Sequence, residues 1–190
     1  MTTLKAEKRD MSIKAKKLRR EGFVTGNLFG KNIEGSIPVK IEKKEAERLL
    51  RDNDKGSQMM LELDGQSYDV LVKEIDYDSM KNQVTEIDFQ TLVKGEKVHS
   101  VAEIVLLNKE KVIEGALEQS LEEISYKAFP EDLVDKVKID VGSMRSGDSL
   151  KVKDLEIAKN NKIDVLTNPE TMVVKVLESH GVPEETVEEA

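Results

Sequence analysis

The sequence lacks cysteine and tryptophan, and it has few aromatic residues and no long apolar run. Without cysteine it has no disulfides, no thiolate metal ligands and no cysteine nucleophile, which is typical of a protein kept in a reducing compartment. No segment approaches the roughly 18 apolar residues that span a bilayer, and the start MTTLKAEKRD is charged where an export signal needs an apolar core. We therefore expect a soluble, cytoplasmic protein with no membrane contact.

Charge is plentiful and unevenly distributed. Charged residues make up 36% of the 190 residues and apolar residues 38%, a composition that predicts a highly charged globular protein with two small domains. Residues 1–31 hold nine Lys and Arg against three Asp and Glu, although the whole chain has a net charge of -8. A basic N-terminus on an acidic body indicates a polyanionic partner at one face, while a merely solvated helix is the alternative interpretation.

The basic segment SIKAKKLRREG predicts a helix after an opening strand in TLKAEKRD. Ser12 is a suitable N-cap and Gly22 a suitable C-terminal stop for this helix. Its inward side is then expected to hold Ala15 and Leu18. Three cations spaced three residues apart share one outer face, with a fourth cation beside them: Lys14, Lys17, Arg20 and Lys16.

The segments that follow predict a small β structure with one more helix. FVTGNLFGKNIEGSIPVKI is expected to form two extended segments broken over residues 30–35, and KKEAERLLRDND a short amphipathic helix. Asp64 and Gly65 lie between two runs rich in strand formers, which predicts a two-residue hairpin. NQVTEIDFQTL alternates in character, so we expect one face to hold Thr85, Ile87 and Phe89 and the other to hold Val84, Glu86 and Asp88.

The pattern restarts in LVKGEKVHS, residues 92–100, where we place a domain boundary. Beyond it, strand-like segments recur every ten to fifteen residues with turn signals at RSGD and NNK. This spacing predicts a mostly antiparallel β domain over residues 94–180 without a compelling helix. Residues 181–190 are acidic and poor in apolar residues, so we expect a flexible tail.

Two phosphate- and metal-binding motifs fail on inspection. In GNLFGKN the glycines Gly26 and Gly30 are separated by three residues rather than four, and Asn32 stands where a phosphate loop needs Ser or Thr. DNDKG resembles the start of a calcium loop, but its glycine comes one position early and Leu63 occupies the place of the bidentate glutamate. We expect no metal, no cofactor and no small-molecule substrate.

Evidence for an enzyme is weak. The two histidines, His99 and His180, are far apart in the sequence and lack nearby carboxylates at ligand spacing. Glu86 and Asp88 alternate on a predicted strand and therefore project from one face, as an acid/base pair in a hydrolase would. Such a hydrolase requires a concave pocket around that strand. Otherwise the two carboxylates are simply solvated.

A family resemblance covers the chain from Leu4 to about Glu178. LKAEKRD, AKKLRREGFVTGNLFGK, YDVLVKEIDYD and EIDFQTLVKGEKV, in this order, resemble the bacterial large-subunit ribosomal protein family that includes the general stress protein Ctc. FPEDLVDKVKIDVGSMRSGDSLKVKDL is similar to the second domain of its longer members.

The resemblance implies a non-enzymatic protein of the large ribosomal subunit that binds 5S rRNA in the central protuberance. Its fold would be mainly β with a few helices: a six-stranded β-barrel RNA-binding domain over residues 1–93 and the antiparallel β domain over residues 94–180. The acidic second domain would point away from the RNA and be available to a neighbouring ribosomal protein.

The resemblance also implies a set of RNA-facing residues: Arg9, Lys14, Lys16, Lys17, Arg19, Arg20, Phe29 with Gly30, Lys31 and Asp88. Lys and Arg neutralise phosphates, and a carboxylate such as that of Asp88 accepts from a ribose hydroxyl. Phe29 stands where the family usually has tyrosine, so it can stack or pack but cannot donate a hydroxyl hydrogen bond. A core aromatic before a turn is an equally good interpretation of Phe29.

Three positions depart from the family pattern. Glu86 stands in place of a common histidine, Asp76 in place of glutamine and Thr25 in place of proline. The two carboxylates face phosphates unfavourably, so we expect weaker RNA contact at the sheet and more dependence on the basic helix. A stress-associated adaptor that keeps the fold and binds a protein through its acidic domain is the alternative function.

Overall fold

The computed structural model describes residues 3–81, 83–112 and 115–177, so the predicted tail over 181–190 lies outside the described residues. The first part of the chain forms a closed six-stranded barrel accompanied by two short helices. In chain order the elements are β1 (Thr3–Lys8), α1 (Ala15–Arg20), β2 (Phe23–Phe29), β3 (Ser36–Glu42), α2 (Lys43–Leu49), β4 (Gln58–Leu63), β5 (Gln66–Asp78) and β6 (Gln83–Thr91). The strands are neighbours in the order β1-β3-β2-β6-β5-β4, and parallel pairing of β1 with β4 closes the barrel.

Alternating side chains of the strands fill the barrel. Because successive residues of a strand point to opposite faces, each strand contributes two or three apolar side chains to the interior. Helix α2 adds Ala46 and Leu49, both buried, as its sequence pattern predicts. The core includes Leu4, Val24, Leu28, Val39, Ile41, Met59, Leu61, Val70, Val72, Ile87 and Phe89.

The predicted hairpin between β4 and β5 is confirmed. Leu63 pairs with Gln66 across a two-residue loop, and both loop residues have positive φ, 50° for Asp64 and 83° for Gly65. These angles are those of a type I′ turn, whose twist matches the right-handed twist of the strands.

The predicted alternation along β6 is correct from Glu86 onward and wrong before it. Asp76 pairs with Glu86 and Tyr77 pairs with Val84, so Thr85 is an extra residue in β6. This bulge turns Val84, which is 8% exposed, toward the core instead of the outer face. The Thr85 carbonyl accepts a hydrogen bond from the Thr25 hydroxyl at 3.3 Å, which gives the bulge a partner on β2.

The prediction that Ser12 caps the first helix is also wrong. Helix α1 begins at Ala15, with Lys14 at the N-cap position and no side-chain cap. The backbone N–H of Ser12 instead donates to the Asp10 carboxylate at 2.8 Å, which holds residues 10–13 in a turn. The predicted stop is confirmed, since the helix ends at Arg20 and Gly22 has φ +90°.

The second part of the chain forms two small sheets that share one core. One sheet has the order β10-β7-β9-β12 and the other β11-β13-β8. The strands are β7 (Val98–Leu107), β8 (Ala116–Gln119), β9 (Glu123–Ala128), β10 (Lys136–Asp140), β11 (Ser149–Lys151), β12 (Asp164–Val165) and β13 (Met172–Leu177). One α-helix, α3 (Glu156–Lys159), and 3-10 turns over Lys109–Lys111, Pro130–Asp132 and Val152–Asp154 complete it.

Two features of this part were not specified by the sequence prediction. Strands β7 and β10 pair in parallel, whereas the other described strand pairs of these two sheets are antiparallel. The short helix α3 was not predicted, because only Ile157 of its four residues is buried and no helical periodicity arises.

Tyr126 is the largest fully buried side chain of the second core. Its hydroxyl donates to the Val134 carbonyl at 2.9 Å and accepts from the Val134 N–H at 2.8 Å. Burial raises the pKa of this phenol above its usual range. A single hydroxyl therefore satisfies both polar groups of one residue in the segment before β10.

Replacing Tyr126 with phenylalanine is expected to lower the free energy of unfolding by about 1–3 kcal/mol, because both Val134 groups then lose their partner inside the protein. Urea unfolding of the wild type and Y126F measures this loss. Y68F is the matched control, since among the described residues the Tyr68 hydroxyl bonds to Gln66 alone, at an exposed position. Equal stabilities of the two variants would contradict the prediction.

Among the described residues, the helices are all too short or too polar to cross a bilayer.

Candidate nucleic-acid interface

Helix α1 packs on the barrel through its inward side, and the turn before it is held by Arg9. Leu18 is buried and Ala15 half-buried, so these two residues form the inward side as predicted. Before the helix, the Arg9 guanidinium donates to the Ile13 carbonyl at 3.2 Å. The predicted cations Lys14, Lys16, Lys17, Arg19 and Arg20 are all exposed on the remaining surface.

A cleft of about 360 Å³ lies between α1, the start of α2 and the β5–β6 hairpin. Three of the predicted RNA-facing cations line it, and two further lysines join them from distant parts of the sequence. These five cations, which we call the basic cleft, are Lys16, Arg19, Arg20, Lys43 and Lys81. Asp78 is the carboxylate that lines the same cleft, so positive charge predominates.

Existing ion pairs do not neutralise the basic cleft. Lys81 lies 3.5 Å from Asp78 and Lys43 lies 3.7 Å from Glu47, the second of these a loose pair within α2. Exposed pairs of this kind contribute little and are readily exchanged for other anions. The aromatic ring of Phe23 also lines the cleft, with the Lys40 ammonium 4.7 Å from the ring centroid.

Lys43, Lys81 and Phe23 are members of this surface that sequence reasoning missed. Lys43 opens α2 and Lys81 lies in the β5–β6 turn, each surrounded by ordinary polar residues. No local pattern distinguishes them from other surface lysines. Only the closure of the barrel brings them beside α1.

Phe29, Lys31 and Asp88 lie away from the basic cleft. Phe23, at the cleft, and Phe29 are the two ends of β2, and six residue steps of a strand span about 20 Å. Phe29 is half-buried at that far end, paired with Ser36 and Gln90. The predicted RNA-facing residues therefore fall into two groups, one near each end of β2.

Two residues of the far group, Lys31 and Asp88, already have partners. Lys31 forms an ion pair with Glu96, in the segment that leads to β7. Asp88 accepts hydrogen bonds from the backbone N–H and the side-chain amide of Asn27, at 2.9 and 3.1 Å. Gly30 lies so close to Thr91 that a Cβ atom would stand 1.9 Å from its hydroxyl, which leaves room for glycine only.

The outer face of the β5–β6 sheet is acidic. Glu74 pairs with Asp88 and Asp76 pairs with Glu86 across the two strands. Directly paired residues project from the same side, so these four carboxylates form one patch, the acidic face. The Asn27 amide donates to both Glu86 and Asp88, at 3.3 and 3.1 Å. Neither of these two carboxylates lines the basic cleft.

Two family models match the chain. The model described as the ribosomal L25p family matches residues 4–89, and that of the C-terminal domain of ribosomal protein TL5 matches residues 97–180. A large ribosomal subunit protein bL25 of Carboxydothermus hydrogenoformans is 31% identical over 193 residues, which cover 96% of this chain and 93% of that protein. The chain belongs to the ribosomal L25p family.

Other L25p relatives match over nearly the same length. The bL25 protein of Bacillus velezensis is 30% identical, with 93% of this chain and 88% of that protein covered. That of Thermoanaerobacter sp. strain X514 is 27% identical, with 98% and 92% covered. The predicted family and its long form are thus confirmed. Because these relatives are named as ribosomal proteins of a non-enzymatic family, the prediction that this chain is not an enzyme is confirmed as well.

Proposed function

We propose that this L25p-family chain is a structural protein of the large ribosomal subunit that binds 5S rRNA, in the cytoplasm, through the basic cleft and the adjoining side of α1. Residues 1–93 act as the RNA-binding domain, and residues 94–180 form a second domain directed away from the RNA. The observation that carries this proposal is the convergence of five cations from α1, α2 and the β5–β6 turn on one cleft.

The cleft suits a folded polynucleotide better than a small anion. Its cations lie on three separate elements, so they can contact several phosphates of a backbone at once. Lys14 and Lys17 extend the positive surface along the exposed side of α1. Arg9 supports this side by holding the turn before the helix. Phe29, Lys31 and Asp88 form a second contact further along the RNA, with Phe29 stacking on a base or ribose.

The direct test is a salt titration of binding to a 5S rRNA fragment. With about five phosphate contacts, the logarithm of the binding constant should fall with a slope near 4.5 against the logarithm of salt, so a fourfold rise in salt should weaken binding on the order of several hundredfold. A duplex RNA of equal length is the competitor. Absence of binding at low salt would overturn the proposal and favour the alternative of a protein-binding adaptor.

The acidic face gives a second prediction for the same assay. Replacing Asp76 with asparagine and Glu86 with glutamine removes two carboxylates from the sheet and should strengthen RNA binding several-fold, because phosphates approaching β5 and β6 meet less repulsion. The control E110Q/E156Q makes the same change of net charge at exposed positions of the second part of the chain. A gain of equal size in both variants would show that only net charge matters.

A further inference from the structure

The barrel and the second β unit (strands β7 to β13) meet along an apolar seam. Leu71 of β5, Leu92 and Val98 are buried there and form a core separate from the two larger ones, with Leu133 packed against it. The seam therefore joins the outer side of β5 to the start of β7 and the segment before β10.

The backbones of the two units lie in close contact beside the seam, at Gly56 and Val101. Gly56, in the loop before β4, has φ +92°, and a Cβ atom on it would stand 2.1 Å from the carbonyl oxygen of Val101 in β7. A side chain at this position would push the two units apart, because neither backbone has a rotamer with which to yield.

Polar contacts connect the two units beside the seam. The Lys136 ammonium of β10 lies 2.9 Å from the Asp54 carboxylate of the barrel and 3.0 Å from Glu103 of β7. Hydrogen bonds to these two carboxylates raise the pKa of Lys136 to about 12. In addition, the Lys73 ammonium donates to the His99 carbonyl at 2.8 Å, and Lys55 lies 3.6 Å from Glu123.

We propose that these contacts hold the barrel and the second β unit as one rigid body, with Lys136 as the latch that fixes their relative orientation. Residues 92–97, which include Gly95 at φ +82°, connect the last strand of the barrel to β7. The inference does not depend on RNA binding. A rigid contact means that the second unit keeps one orientation relative to the basic cleft, instead of a range of orientations.

Lys136 differs from the exposed ion pairs of the basic cleft because it contacts one carboxylate of each unit at the same time. A cleft between the two units is lined by four carboxylates, those of Asp54, Glu74, Glu103 and Glu123, together with Lys55. Lys136 is the cation that touches both Asp54 and Glu103. Without its charge these two carboxylates face each other, so attraction between the units changes to repulsion.

Distance measurements between two spin labels test the latch directly. Because the chain has no cysteine, S67C in the β4–β5 hairpin region and S146C in the second unit provide unique labelling sites at exposed positions. We expect a single narrow distance for the otherwise unchanged chain and its replacement by a broad distribution in K136E. The matched control K138E changes an exposed lysine on the same side of β10 and should keep the narrow distance. A broad distance distribution in the labelled chain that keeps Lys136, or equal distributions for K136E and K138E, would contradict the proposed role of Lys136.

A second pair of variants tests the backbone contact. G56A and G65A both place a side chain at positive φ, but a Cβ at Gly65 meets nothing within 4 Å, whereas at Gly56 it meets Val101. With folding checked by circular dichroism, G56A should broaden the distance distribution and G65A should not. Identical narrow distributions for the two glycine variants would overturn the rigid contact at this point.

Discussion

Replacing Lys16, Arg19 and Arg20 with glutamine is expected to weaken binding to the 5S rRNA fragment by about 500-fold at 0.1 M salt. The three side chains line the basic cleft from one helix, and α1 keeps its inward contacts through Leu18. The logarithm of the binding constant falls linearly with the logarithm of the salt concentration, and each phosphate contact contributes about 0.9 to this slope. Three lost contacts therefore lower the slope by about 2.7, which corresponds to a loss of about 500-fold at about 0.1 M salt. Filter binding or fluorescence anisotropy across a salt series measures both quantities.

The control for this variant carries the same change of charge on the second β unit. K109Q/K138Q/K159Q removes three exposed lysines at positions away from the basic cleft. Only long-range attraction should be affected there, so binding should change by less than about tenfold at 0.1 M salt, where charges further apart than about 10 Å are screened. Similar losses in the two variants would mean that net charge, and not the cleft, drives binding.

The basic helix was predictable because its signals are local. Five cations, an inward Leu18 and the terminating Gly22 lie within a few residues of one another, so spacing alone gives the exposed face. The start of the helix was missed because Asp10 forms a turn with the residues that follow it. Ser12 is a suitable cap by type, but the Asp10 carboxylate already binds its N–H and holds it in a turn before the helix.

The composition of the cleft was not predictable, because it depends on long-range pairing. Lys43 and Lys81 reach α1 only when β2 pairs with β3 and β6 in the closed barrel. The bulge at Thr85 has the same origin. It is defined by the pairing of β5 with β6, whose register shifts by one residue between Asp76 and Tyr77, and no residue of β6 indicates this shift by itself.

The parallel pairing of β7 with β10 shows the same limit in the second unit. Regular strand spacing and turn signals favour neighbouring antiparallel strands, and β7 with β9 satisfies this expectation. Strand β10 returns to the other edge of β7 after a crossover, and this placement brings Lys136 beside Glu103. The contact that we propose as the latch therefore follows from topology and could not be inferred from the composition of either strand.

The barrel has two outer surfaces of opposite charge, the basic cleft and the acidic face. Positive charge is concentrated at the cleft beside α1, whereas Glu74, Asp76, Glu86 and Asp88 make the neighbouring sheet negative. A polyanion approaching this side is attracted at one end and repelled along β5 and β6. The departures Asp76 and Glu86 therefore concentrate the proposed RNA contact on the helix instead of spreading it over the sheet.

Replacing Gly26 with alanine is expected to lower the free energy of unfolding by about 3 kcal/mol or more, a loss large enough to unfold part of the population at 37 °C. A Cβ atom at this position would stand 1.9 Å from the carbonyl oxygen of Ile87, which is fully buried in the neighbouring strand β6. The Cβ position is fixed by the backbone of residue 26, and the oxygen that it meets belongs to the backbone of Ile87, so no side-chain rotation relieves the overlap. Because β2 lies between β3 and β6 in a closed barrel, moving it outward breaks pairing on its other side.

Urea unfolding of G26A beside G35A separates overlap from general effects of losing a glycine. Gly35 has φ +78° and open space around it, so G35A should lose only about 1 kcal/mol through backbone strain. If G26A were as stable as G35A, β2 and β6 would lie further apart than this overlap requires. The basic cleft depends on the same pairing of β2 with β6. Phe23 at the start of β2 lines the cleft, as do Val84 and Thr85 at the start of β6, so a shift between the two strands would separate these residues. G26A should therefore lose RNA affinity in proportion to its unfolded fraction, whereas the glutamine variant of α1 should lose affinity while remaining folded.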